Sequence, residues 1–140
     1  MEQITLSESD MLDLAALGVE AVVLFGSRAT GTASDMSDYD IGVLLSADGH
    51  AKRRADYARY RDSMYDIFAD RFGDRNGLDL VFLDRAPLEL RRHVSKYGRV
   101  LMETSRRVVE RFNLATDLQY ADFEPYRTML NKAVFEHIRA

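Results

Sequence analysis

Residues 25–41 read FGSRATGTASDMSDYDI and set the architecture of the chain. They follow the apolar run AVVLF at residues 21–25, which predicts a short buried strand. Residues 26–37 are rich in Gly, Ser, Thr and Asp, a composition that indicates a loop with a helical turn after Ser27. Residues 38–45 again carry Val, Leu and Ile and predict a second strand. A polar loop therefore joins two buried strands.

The rest of the chain predicts helices alternating with strands. The predicted elements are a helix capped by Ser7 or Ser9 and ending at Gly18, a long helix from Asp48 to Arg71, a strand from Leu78 to Leu83, a helix from Pro87 to about Tyr97, a short edge strand at residues 99–102, and a helical remainder interrupted near Pro125. This order favours an α/β or α+β fold, with a small mixed β-sheet flanked by helices.

The length of 140 residues fits one domain, residues 1–140, with a single hydrophobic core. The chain contains no cysteine, which excludes disulfides and thiolate metal sites and is compatible with the cytoplasm. The start shows no signal-peptide pattern, and no apolar run approaches the roughly 20 residues of a membrane span. We therefore expect a cytoplasmic protein that does not contact a membrane.

The formal net charge is -4, and direct nucleic-acid binding is not expected, because such binding depends on basic patches. The clusters Lys52-Arg53-Arg54 and Arg91-Arg92 are interpreted as solvated helix faces. The three histidines, His50, His93 and His137, have no metal-binding spacing.

Gly26 and Ser27 form the first part of the predicted site. Glycine lets the backbone turn sharply after a strand and approach a ligand closely. Ser27 adds a hydroxyl and a backbone N–H at the start of a helical turn, which suits a phosphate group. Arg28 is a further candidate for phosphate contact through its guanidinium fork, although solvation or pairing with an acid is an equal alternative.

Asp38 and Asp40 form the second part. Two positions apart on a strand, they point to the same face of the sheet, where their charges repel. A hard divalent cation such as Mg²⁺ would neutralise them, since it binds one or two carboxylates together with substrate phosphates. Tyr39, between them, should point to the opposite face and pack.

A third carboxylate is expected, because phosphoryl and nucleotidyl transfer often use two metals or a metal and a base. Asp79 is the first candidate, since it interrupts the apolar strand Leu78–Leu83 and would be costly to bury without a partner. Asp74 and Asp84 are weaker candidates at predicted loop positions.

The motif Phe25-Gly26-Ser27-Arg28, followed by Ser37-Asp38-Tyr39-Asp40 and by Leu78-Asp79-Leu80-Val81, resembles the signature of DNA polymerase beta-like nucleotidyltransferases. Within this superfamily the chain is similar to the minimal MNT branch, the MntA-type antitoxins. The aromatic, acidic and proline residues at 120–125 add a weaker similarity to that branch.

The resemblance implies that Asp38, Asp40 and Asp79 hold Mg²⁺, and that Gly26 and Ser27 hold the phosphates of ATP. It also implies transfer of AMP to a tyrosine of a separate HEPN-domain ribonuclease, a HepT-type toxin, with release of pyrophosphate. A hetero-oligomer with that toxin is then possible.

Two other functions stay open. The chain could neutralise a toxin by masking it stoichiometrically, without catalysis. It could also transfer a nucleotide to a small molecule, as aminoglycoside nucleotidyltransferases do, although the chain leaves little room for an acceptor-binding domain. Methionine and aromatic residues near the C-terminus are predicted to be core or oligomer contacts.

Overall fold

A four-stranded sheet organises the computed structural model, which describes residues 4–34, 36–73 and 77–139. Its strands are β1 (Val19–Phe25), β2 (Tyr39–Leu45), β3 (Leu78–Phe82) and β4 (Arg99–Glu103), in the order β3-β2-β1-β4. β1 pairs antiparallel with β2 and β4, whereas β2 and β3 run parallel. The mixed sheet predicted from the sequence is thus confirmed.

Six helices accompany the sheet within the described residues. They are α1 (Glu8–Ala16), α2 (Ser27–Thr30), α3 (Ala47–Ala55), α4 (Tyr57–Phe72), α5 (Leu88–Tyr97) and α6 (Val108–Arg139). A short 3-10 turn, Leu83–Arg85, links β3 to the segment before α5. In this part of the chain no helix combines the length and the apolar character that a membrane span requires.

The two faces of the sheet separate because side chains alternate along each strand. Val22 and Leu24 of β1 pack with residues of α1 and α4, such as Leu14 and Phe68. The intervening β1 residues, Ala21, Val23 and Phe25, pack with α5 and α6. Each fully buried aliphatic or aromatic side chain contributes roughly 1.5–3 kcal/mol to the stability of this core. The sheet is therefore held rigidly between two helical layers.

The first helix is capped by Ser7, not Ser9. The Ser7 hydroxyl accepts a hydrogen bond from the Asp10 N–H at 3.1 Å, and the Asp10 carboxylate accepts one from the Ser7 N–H at 3.0 Å. This reciprocal capping box satisfies two N–H groups that the helix itself leaves unpaired.

The prediction of one long helix from Asp48 to Arg71 was wrong, because the structure has two helices there, α3 and α4. The break lies at Asp56, whose backbone is extended (φ -155°, ψ 87°). The Asp56 carboxylate accepts a hydrogen bond from the Arg59 N–H at 3.2 Å and caps α4. Aspartate competes with the helix for backbone hydrogen bonds, and here that local preference prevails.

The interruption predicted near Pro125 was also wrong. Helix α6 is continuous through Pro125 over 32 residues. Proline removes one N–H and leaves the carbonyl of Ala121 without its helical donor. The neighbouring residues of α6 are exposed, so this carbonyl lies on a surface where water can satisfy it.

Candidate active site

Gly26 makes the turn that follows β1. Its backbone has φ 73° and ψ -158°, a conformation that side-chain-bearing residues rarely adopt. A Cβ atom at this position would also collide with Oδ2 of Asp40. Glycine is thus required both by the backbone angle and by the closeness of the carboxylate. Helix α2 begins directly afterwards at Ser27, as the sequence predicted.

Asp40 is the central acid of the site. In the antiparallel ladder it is paired with Phe25, the last residue of β1, and in the parallel ladder it is paired with Asp79 of β3. Partners in adjacent strands stand roughly 4.8 Å apart and project to the same face. The register therefore places Asp40 and Asp79 side by side, next to the Gly26 turn.

Asp38 and Asp79 are both exposed. Asp38 lies one residue before β2 begins at Tyr39, so the strand predicted from Asp38 starts one residue later. Asp79 does not need a partner to offset burial, and that part of the sequence argument was wrong. Its pairing with Asp40 in the ladder is what brings it to the site.

The charges of the other two acids act on Asp40. Burial raises the pKa of Asp40, and the charges of Asp79 and Asp38 raise it further, while the charge of His93 lowers it. Desolvation and like charges both disfavour the ionised carboxylate. The ionised form of Asp40 is therefore unfavourable, and a nearby cation or positively charged group would stabilise it.

His93 is a neighbour of the site that sequence reasoning missed. It lies half-buried on α5, with its ring 5.2 Å from that of Tyr97. The charge of His93 acts on Asp40, whereas His50 faces Asp84. No spacing in the sequence could reveal it, because its position depends on how α5 packs against the sheet.

Of the two weaker candidates for the third acid, Asp84 does not join the site. Asp84 lies in the 3-10 turn after β3 and faces His50 at 3.5 Å and Arg53 at 3.8 Å. Asp74 lies outside the described residues. Of the three candidates, Asp79 alone is shown beside Asp40.

Arg28 closes the loop that carries Asp38. Its Nε and Nη2 donate to the carbonyl oxygen of Ser37 at 3.2 and 2.9 Å, and its guanidinium lies 4.4 Å above the Tyr39 ring. Tyr39 stacks on Phe72 with 4.9 Å between ring centroids, which confirms its predicted packing role. A cleft of about 390 Å³ beside these side chains also includes Asp38. Phosphate contact by Arg28 stays a prediction.

The donor chemistry fits a magnesium ion shared with a substrate. Among the described residues, no group of three or more acidic or histidine side chains is gathered closely enough to hold a metal by itself. Mg²⁺ usually binds one or two protein carboxylates and completes its shell with water and phosphate oxygens. The paired Asp40 and Asp79, with Asp38 nearby, are sufficient for such a site.

Comparison with known proteins identifies the family. A family profile described as Polymerase beta, Nucleotidyltransferase matches residues 11–107, a range that includes Gly26, Ser27 and all three acids. The chain belongs to this family. No curated protein matches the sequence significantly.

Solved structures of toxin–antitoxin complexes are similar over nearly the whole chain. A chain of a toxin-antitoxin structure with AMP-PNP is 25% identical, with a TM-score of 0.67, and the match covers 96% of this chain and 100% of that chain. A chain of an MntA-HepT toxin-antitoxin structure is 21% identical, with a TM-score of 0.58 and coverage of 96% and 100%.

A third similar chain comes from the tri-AMPylated Shewanella oneidensis HEPN toxin in complex with MNT antitoxin. It is 20% identical, with a TM-score of 0.57, and the match covers 95% of this chain and 98% of that chain. These similarities include the region of α6 that lies beyond the family profile.

Proposed function

We propose that this member of the polymerase beta nucleotidyltransferase family is an antitoxin that transfers AMP from ATP to a tyrosine of a HEPN-domain ribonuclease toxin. The observation that carries the proposal is the pairing of Asp40 with Asp79 beside the Gly26 turn. The AMP-PNP complex and the AMPylated HEPN toxin among the similar structures support the nucleotide and the acceptor.

Each part of the site has a proposed role. The Ser27 hydroxyl and the backbone N–H groups after Gly26 bind ATP phosphates. Asp38, Asp40 and Asp79 hold Mg²⁺, which, when bound, neutralises charge on the carboxylates and the phosphates.

The acceptor phenol oxygen attacks the α-phosphorus, the bond from that phosphorus to the oxygen of the departing pyrophosphate breaks, and the phenol proton passes to Asp79. Asp79 suits the last role because it is exposed and can exchange the proton with solvent. We further propose that residues 1–140 act as one catalytic domain in the cytoplasm, where ATP is available.

The test is label transfer to a cognate HEPN-domain ribonuclease. With ATP labelled at the α-phosphate, the toxin should become labelled, whereas ATP labelled at the γ-phosphate should leave it unlabelled. Asp40→Asn should abolish transfer, and Asp122→Asn, at an exposed position of α6, should not. Absence of transfer to a ribonuclease that is active and folded would contradict the proposal.

A masking antitoxin is the second candidate, and one observation favours it. Large apolar side chains are exposed along α6, as expected for a surface that binds another protein. The exposed residues are Leu114, Leu118, Phe123, Tyr126, Met129, Leu130 and Val134. The double variant Asp38→Asn/Asp40→Asn separates the two functions. If it protects cells at equal abundance, binding suffices; if protection is lost, catalysis is required.

A further inference from the structure

A second cavity, lined by apolar side chains and arginines, lies along the free edge of β3. It has a volume of about 530 Å³ and is bounded by the junction of α3 and α4, by β3, and by the segment before α5. Its charged lining consists of Arg53, Arg54 and Arg85, with the half-exposed ring of Tyr57 beside them. None of Asp38, Asp40 and Asp79 lines it, so it is separate from the proposed active site.

Arg53 is the central residue of this cavity. It is only 5% exposed, which corrects the sequence interpretation of residues 52–54 as a solvated face. Its guanidinium lies 4.8 Å from the centre of the Phe82 ring, yet its Nη1 has no hydrogen-bond partner. Oδ1 of Asp84 is 3.8 Å away, too far for a hydrogen bond. A buried cationic donor without an acceptor is costly, and an oxyanion in the cavity would satisfy it.

The local charge balance is positive. Arg54 and Arg85 are exposed at the cavity. Asp84 is the carboxylate that faces Arg53, and it also faces His50. The nearby acids of α3 and α4 have other contacts, since Asp48 pairs with Lys52 at 2.9 Å and Asp56 caps α4. Three arginines thus line the cavity, and the carboxylate of Asp84 near Arg53 is shared with His50.

The two residues that precede α5 line the same cavity. Pro87 precedes the helix and gives it no side-chain cap, and both Ala86 and Pro87 line the cavity. The first N–H groups of a helix lack internal acceptors, and the helix dipole makes this end attractive to anions. Glu89 in the first turn is directed to Arg127, with 3.3 Å between the charged atoms.

We propose that this cavity is a binding site for a phosphate group, either free or carried by a nucleotide. The buried Arg53 supplies a fixed donor, Arg54 and Arg85 supply exposed charge, and the start of α5 supplies backbone N–H groups. The site does not depend on the proposed AMP transfer, since none of the catalytic acids takes part.

The test follows the Nε–H signal of Arg53 by NMR in the ¹⁵N-labelled full chain. Inorganic phosphate and AMP are titrated separately at low chloride. A saturable shift with both probes means that phosphate alone is recognised, and a saturable shift with AMP alone means that the phosphate is carried by a nucleotide. A saturable shift with neither overturns the proposal.

Variants keep the test independent of folding. Arg53 is buried and its replacement could unfold the chain, so the exposed pair Arg54→Gln/Arg85→Gln is used instead. This double variant should weaken binding at least about tenfold, because charge-assisted hydrogen bonds are lost. The matched double variant Arg106→Gln/Arg107→Gln, which removes two exposed charges elsewhere, should bind like the parent protein. If both double variants bind phosphate equally weakly, the effect is due to net charge alone, and the proposed site is wrong.

Discussion

The carboxylate of Asp40 occupies the space that a side chain at position 26 would need. The position of the Asp40 carboxylate in β2 therefore depends on the absence of a side chain at the turn after β1. A change in one displaces the other, although the two residues are fourteen positions apart in the sequence.

Gly26→Ala should strongly slow nucleotidyl transfer by moving the Asp40 carboxylate. We expect a loss of roughly 100-fold or more in transfer rate, because misplacement by about 1 Å can have that effect. Gly31→Ala is the matched control, since Gly31 also has a positive φ (80°) but a Cβ there would meet no atom within 4 Å. Both variants should be destabilised by about 1–3 kcal/mol through backbone strain. Equal transfer rates in the two variants would show that the collision is unimportant.

Asp40→Asn should stabilise the metal-free protein at neutral pH. The pKa of Asp40 is raised in the folded state, so ionisation of this group opposes folding. The stabilisation by the asparagine should be present above the raised pKa and should vanish below the ordinary aspartate value near 3.9, where both states are protonated.

The measurement is urea denaturation in EDTA across this pH range, with Asp122→Asn as an exposed control. An Asp40→Asn variant that is less stable than the parent protein at pH 7 would contradict the repulsion inferred among the acids.

Ser7→Ala should lower the free energy of unfolding by about 1 kcal/mol, the usual value of an N-cap. It removes the hydroxyl that accepts from the Asp10 N–H. Ser9→Ala, inside the same helix and exposed, should change it by less than about 0.5 kcal/mol. Thermal and urea denaturation of both variants measure the difference, and similar values for the two would argue against Ser7 as the cap.

Arg28→Gln and Tyr39→Leu together identify what Arg28 does. The Arg28 guanidinium lies over the Tyr39 ring. If the main role of Arg28 is to hold the Ser37 carbonyl, then Tyr39→Leu should cause much of the effect of Arg28→Gln. We expect both variants to raise KM for ATP up to about tenfold, because each loosens the loop that carries Asp38. Steady-state kinetics with a common HEPN acceptor measure this. An increase confined to Arg28→Gln would assign Arg28 to direct phosphate contact.

The sequence predicts which residues lie together where the determinants of their position are local. The turn at Gly26 and the acids Asp38 and Asp40 lie within fifteen residues, and the glycine turn and the two-residue spacing of the acids suffice to group them. Asp79 was identified through a burial argument that does not hold, but its position in an apolar strand still led to the right ladder. The register that pairs Asp40 with Asp79 depends on how β2 and β3 pack in the folded protein, and the spacing of residues along the chain cannot predict it.

The missed features all depend on packing between distant segments. His93 approaches Asp40 because α5 packs on the sheet, and the buried guanidinium of Arg53 lies over the ring of Phe82, a residue of β3 that is 29 positions away in the sequence. The predictions at Asp56 and Pro125 failed in opposite ways. Asp56 breaks a pattern that looked continuous, whereas Pro125 leaves a helix intact where a break looked necessary.

Helix α6 has a mechanical consequence. Its 32 residues extend about 48 Å at 1.5 Å per residue. Its pairing with α5 extends to an ion pair between Arg127 of α6 and Glu89 in the first turn of α5. The last twelve residues therefore form an arm of about 18 Å beyond α5. A protein held on this arm is tethered to the domain that carries the acids, so its local concentration there can reach the millimolar range. Such a tether would let the acids modify a tyrosine for which they have almost no affinity of their own.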